Sequence, residues 1–152
     1  MEFMRSVAIA APPERVFAVF SDVEKWPRWT PSITWVRLLD PGPLHVGSRA
    51  RIRQPRLPVA LWTVVEIVPD HYFVWEAKAP GVTTVGWHVV EGDTGSGSVA
   101  TSRLEQHGPG GLVIGVLTAG LTKRYLRWET DGLKAECERQ AGQAARGRHN
   151  GS

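Results

Sequence analysis

The side chains in this chain that can do chemistry are few, and they sit far apart in the sequence. His88 falls in an alternating run, Val82 to Glu91, where a two-residue period puts it on one face with Gly86 and Val90. An imidazole titrates near neutrality, so in a dry pocket it can act as general acid or base toward a carbonyl or a phenol. A core histidine bonded to a hydroxyl would fit the same pattern. Tyr125, in the long C-terminal run, offers a phenol that can orient a guest oxygen or simply fill space. Thr63 and Ser102 are inward hydroxyls by alternation, able to polarise a guest or to hold His88. Neither lies in a Gly-x-Ser-x-Gly elbow, and no acid is expected on that face to complete a triad, so covalent catalysis is not expected.

Other chemistries find less support. The five histidines, at 45, 71, 88, 107 and 149, lack paired ligand spacing, so no metal site is expected. Gly95-Ser96-Gly97-Ser98 and Gly108-Pro109-Gly110-Gly111 lack the strand-to-helix setting and the Lys-Ser/Thr of a nucleotide loop; they read as turns, and no cofactor is expected. Arg49, Arg51 and Arg53, with Arg56 close by, can meet phosphate or an anionic membrane surface. Without interleaved aromatics and with a net charge of only +3, a solvated strand face fits better, and nucleic acid is not an expected partner. Cys137 stands alone, which rules out a disulfide within one chain and agrees with a reducing cytoplasm. The run Val7 to Ala11 is too short for a signal-peptide core, and Leu112 to Leu121 is about half a membrane span. A cytoplasmic protein without stable membrane insertion is expected.

The elements that must position these groups can be read from pattern. Phe3 to Ala10 forms a first strand, ended by Pro12-Pro13. Proline at the first helical position with Glu14 behind it starts a short helix with Val16, Phe17 and Phe20 on its apolar face. Ser21-Asp22 breaks it and caps a second short helix, Val23 to about Trp29. Six strands follow at Ile33–Asp40, Arg49–Gln54, Val59–Val68, Tyr72–Lys78, Val82–Glu91 and Ser98–Gln106, joined by short turns that imply an antiparallel meander. Leu112 to about Gln140 reads as one long helix, with Leu117, Leu121, Tyr125 and Trp128 on one stripe. Counting from outward charges such as Glu66 and Glu76 places Thr63, Val65, Phe73, Trp75, His88 and Ser102 inward, and Trp62 and Trp87 outward. Seven Trp in 152 residues suit a bulky core or a pocket for a flat guest, with Trp29, Phe73 and Trp75 as its walls.

The order strand, two short helices, six strands, long helix resembles the START/Bet v 1-like helix-grip (SRPBCC) superfamily, in particular its bacterial polyketide cyclase/dehydrase branch. The resemblance rests on Ala11-Pro12-Pro13-Glu14-Arg15-Val16-Phe17, Asp22-Val23-Glu24-Lys25-Trp26-Pro27-Arg28-Trp29, Trp62-Thr63-Val64-Val65-Glu66, Phe73-Val74-Trp75, Gly95-Ser96-Gly97-Ser98-Val99 and Glu129-Thr130-Asp131-Gly132-Leu133-Lys134. It implies an α+β domain over residues 1–140, a curved antiparallel sheet of about seven strands wrapped around the long C-terminal helix. An internal apolar cavity is expected between them, entered near Pro41–Gly47 or the Gly108–Gly111 turn. Residues 141–152 read as a disordered tail.

The partner implied is a hydrophobic, ring-containing small molecule, held by Trp29, Thr63, Val65, Phe73, Trp75, Ser102, Leu117, Leu121 and Trp128. The resemblance further implies cyclisation or dehydration of a polyketide-like substrate, with His88 and Tyr125 managing protons. A non-catalytic carrier or sensor for a lipid or quinone would use the same walls. A third reading, a homodimer or other partner module, would cover Trp62 and Trp87.

Overall fold

The computed structural model describes residues 1–151. Alternating side chains in seven segments give one antiparallel sheet: β1 (Glu2–Ile9), β2 (Trp35–Leu38), β3 (Arg49–Arg53), β4 (Ala60–Val68), β5 (Tyr72–Ala79), β6 (Val82–Gly92) and β7 (Ser98–His107). Spatial order is β1-β7-β6-β5-β4-β3-β2, so β2 to β7 form the expected meander and β1 joins it beyond β7. The chain crosses from one edge of the sheet to the other through α1 (Pro13–Ser21) and a 3-10 helix, Val23–Arg28. Proline opens α1 with Glu14 in its first turn, and Val16, Phe17, Val19 and Phe20 are buried. The long helix α2 (Gly111–His149) lies across the concave face.

The core sits where α1 and the middle of α2 meet the sheet. Ile9, Val16, Phe20, Phe73, Val90, Leu133 and Cys137 are each at most 2% exposed. Two ties fix α2 against β1. Arg5 donates to Asp131 at 2.8 Å and to the Arg127 carbonyl at 3.0 Å, and Lys134 Nζ donates to the Ala8 carbonyl at 2.9 Å. A further approach joins α2 to the end of the 3-10 helix, because Gly132 lies so close to Trp29, its C-terminal cap, that a Cβ there would collide with the Trp29 carbonyl oxygen. No helix among the described residues is long and apolar enough to cross a membrane.

Two expectations need correcting. The helix does not stop near Gln140: residues 141–149, read from sequence as a disordered tail, continue α2. Nothing in that stretch breaks a helix as proline would, and Arg146, Arg148 and His149 in its last turn complement the negative end of the helix dipole. Ser152 lies outside the described residues. The second correction concerns β4. Its register shifts between Val64 and Glu66, a bulge that adds one residue against β5. Alternation counted backward from Glu66 is therefore off by one: Trp62 and Val64 face the core, while Thr63, paired with exposed Arg49, and Val65, 41% exposed, do not.

Candidate functional site

Between α2 and the concave face lies a cavity of about 500 Å³, within the range of small-molecule sites. The strands supply its floor, with Ile52, Trp62, Trp75 and Ala77 on one side and Gly86, His88, Ser102 and Leu104 on the other. The helix supplies its roof through Ile114, Thr118, Leu121, Tyr125 and Glu129. These follow a 3.6-residue period. At about 100° per residue, Leu117 and Trp128 stand well to one side of that stripe. Leu117 is accordingly 76% exposed and Trp128 packs on Tyr125 with ring centroids 5.8 Å apart; neither lines the cavity. The mouth opens between the β3–β4 loop, the β5–β6 turn and the start of α2, close to the expected Gly108–Gly111 turn; no residue of 41–47 borders it.

His88 is the polar centre of this space. The β5, β6 and β7 registers set it between Phe73 and Ser102. Its ring stacks on Phe73 at 4.5 Å and meets Phe20, Trp26 and Trp75 at 5.0, 5.2 and 5.5 Å. Four aromatic neighbours fix its orientation and shed water. From above, Glu129 brings a carboxylate oxygen to 3.5 Å from Nε2, with side chains only 6% and 11% exposed. That distance suits an ion pair and exceeds an ordinary hydrogen bond. No acid was expected on the concave face, and the one that reaches His88 comes instead from the helix above it. Strand alternation gave no view of the helix, although Glu129 is one helical turn beyond Tyr125 and shares its face.

Buried polar atoms without protein partners cluster on the same floor. His88 Nδ1 and Ser102 Oγ, on directly opposed residues, and Gln106 Oε1 further toward α2 are all buried and unpaired. Each such atom costs about 1–3 kcal/mol unless a partner is supplied. Gly86 makes room beside them, since a Cβ at that position would lie 2.9 Å from Trp75 Nε1 and 3.5 Å from the His88 ring.

The remaining expected residues fall in different places. Trp75, Ser102, Leu121, His88 and Tyr125 line the cavity as anticipated. Phe73 stands behind His88 rather than beside the space. Trp29 packs on Trp26 at 5.6 Å and against Gly132, which removes it from the lining. Thr63 and Val65 are displaced by the bulge, and Trp26 and Trp62 take the wall positions instead. Trp87 does lie on the convex face, packed within the chain against Tyr72 at 6.3 Å and against the Arg103 guanidinium at 5.5 Å, whereas Trp62 is buried in the cavity wall rather than turned outward.

Tyr125 is buried, and its hydroxyl donates to the Pro55 carbonyl, tying α2 to the β3–β4 loop at the mouth. Burial raises its pKa, which keeps the phenol protonated and donating at neutral pH. Cys137 is buried in the core, and desolvation pushes its thiol up to about 12, so it is no nucleophile.

A curved antiparallel sheet that grips a long C-terminal helix over an apolar cavity defines the helix-grip fold. Residues 1–138 match the family model for polyketide cyclase / dehydrase and lipid transport, and the chain belongs to that family. Among solved structures it is similar to a START superfamily protein from Mycobacterium smegmatis, at 18% identity and a TM-score of 0.69, covering 91% of this chain and 98% of that one. It is also similar to the di-domain ARO/CYC StfQ from the steffimycin biosynthetic pathway, at 13% identity and a TM-score of 0.72, over 93% of this chain and 51% of that one. The di-domain ARO/CYC BexL gives 20% identity and a TM-score of 0.67, over 89% and 45%. The chain thus spans about half the length of these two di-domain proteins, and at such identities the likeness shows the fold. No curated protein matches the sequence at a significant level. Family and cavity together support a hydrophobic-ligand-binding role.

Proposed function

We propose that this protein holds a flat, mostly apolar molecule carrying carbonyl or phenol oxygens and promotes its cyclisation or dehydration. The observation that carries this reading is the buried His88–Glu129 pair at 3.5 Å, opening on an apolar cavity of about 500 Å³. A pair of this kind can hold one proton between imidazole and carboxylate, take it from a carbon next to a carbonyl, and return it to the oxygen that becomes a leaving group. Glu129 faces Nε2 and positions the imidazole, leaving Nδ1 unpaired on the side of Ser102. The aromatic walls exclude water, and Trp62 and Trp75 supply planar faces against which a folded chain can lie with its reacting carbons close. Tyr125 keeps the mouth in shape through Pro55 and lends its phenol to orientation rather than to proton abstraction.

The test uses His88→Ala and Glu129→Gln with a stabilised aromatic poly-β-ketone analogue, following ring closure by NMR and binding by calorimetry. Loss of about 10²–10⁴-fold in turnover, with affinity changed by less than about tenfold, is the expected result. Tight binding without any turnover in the unmodified protein would move the assignment to a carrier or sensor.

A further inference from the structure

The first two turns of α2 are apolar. Leu112 and Leu117 are 64% and 76% exposed, with Val113, Ile114 and Val116 also exposed; within this run only Gly115 is buried, against Met1 and Gln106. Ile114 lies on the cavity mouth together with exposed Val59 and Leu61. An apolar surface of this continuity marks a contact site.

The charge around the mouth is predominantly positive, with Glu76, 3.6 Å from Lys78, as the neighbouring acid. Its three segments, residues 54–65, 77–90 and 108–128, contain Arg56, Lys78, Lys123, Arg124 and Arg127 and no Asp or Glu. All five cations are exposed. Of the chain's 18 Lys and Arg, the other 13 face 15 Asp and Glu, so the positive charge resides at the mouth and the remainder is slightly acidic.

We infer that the cavity mouth docks on an anionic lipid bilayer, with residues 112–117 seated at the acyl boundary and the five cations on headgroups. Three observations favour a bilayer over other occupants. A protein groove covers one face of a helix, whereas this helix start presents apolar side chains on every side except the Gly111–Gly115 face packed on Met1 and Gln106, which fits a fluid medium. A second copy meeting it symmetrically would set five cations against five cations. The mouth also opens within the same patch, so an apolar guest can pass between membrane and cavity without crossing water. Docking is independent of any chemistry at His88 and is measured without a guest, which keeps its failure separate from that of the proposed function.

The experiment is co-sedimentation of the full chain with phosphatidylcholine vesicles, with and without phosphatidylserine as about a third of the lipid. Binding to the anionic vesicles is expected to be tenfold or more tighter and to weaken as salt is raised. Val113→Glu with Leu117→Glu, both at exposed positions, is expected to cut it by about tenfold or more while circular dichroism stays unchanged. Lys123→Glu with Arg124→Glu should remove the preference for phosphatidylserine. No sedimentation with either vesicle, binding unaffected by the Val113/Leu117 variant, or a concentration-dependent dimer dissolved by that variant without vesicle binding would each overturn the inference.

Discussion

His88 owes its position to three strands and a helix at once: Phe73 stacked behind it, Ser102 opposite in register, and Glu129 descending from α2. Gly86, two residues earlier on the same face, leaves the gap that Trp75 and the imidazole share. Gly86→Ala should therefore press the Trp75 indole into the cavity. The expected outcome is a protein destabilised by about 1–3 kcal/mol in urea and a Kd for ring guests raised by about tenfold, read by Trp fluorescence and calorimetry. At this scale the sequence displayed about half of the site. His88, Trp75, Ser102, Leu121 and Tyr125 were legible because an unbroken two-residue or 3.6-residue period carries side-chain direction. Thr63 and Val65 were misassigned because a bulge leaves no mark in composition, and Glu129 was passed over because a carboxylate on a helix reads by default as solvent-facing.

At the level of elements, α2 does two jobs along one length. Its middle packs on β1, α1 and the 3-10 helix, and its first half roofs the cavity. Glycines on this helix should therefore respond in opposite senses to one substitution. At Gly132 a methyl group would meet the Trp29 carbonyl, so Gly132→Ala is expected to destabilise by about 2 kcal/mol. At Gly120, where nothing lies within 4 Å, alanine is expected to stabilise by about 0.5–1 kcal/mol through helix propensity. Thermal denaturation of the two variants checks the pair, and equal effects would mean that α2 does not approach Trp29 as described. The order and number of elements were plain from sequence, since prolines and glycines punctuate the strand connections and Ser21-Asp22 divides the two short helices. The helix end was not, because its arginine-rich last turns carry the composition of a disordered tail while suiting a helix C-terminus equally well.

For the molecule as a whole, fold, cavity and charge agree on one arrangement: a sheet closed on one side by a helix, with a mostly apolar interior reached through an apolar mouth flanked by cations. On the sheet's convex face Trp87 packs between Tyr72 and the Arg103 guanidinium. Function then depends on whether the interior accepts a ring. The most direct test is a titration of the protein with 2-naphthol, a flat phenol, observed through the ring resonances of His88 and the indole resonances of Trp75 by NMR. Saturable shifts at both residues with one guest per chain are the result expected. Shifts confined to residues 112–117, or none at all, would contradict an interior site read by the imidazole.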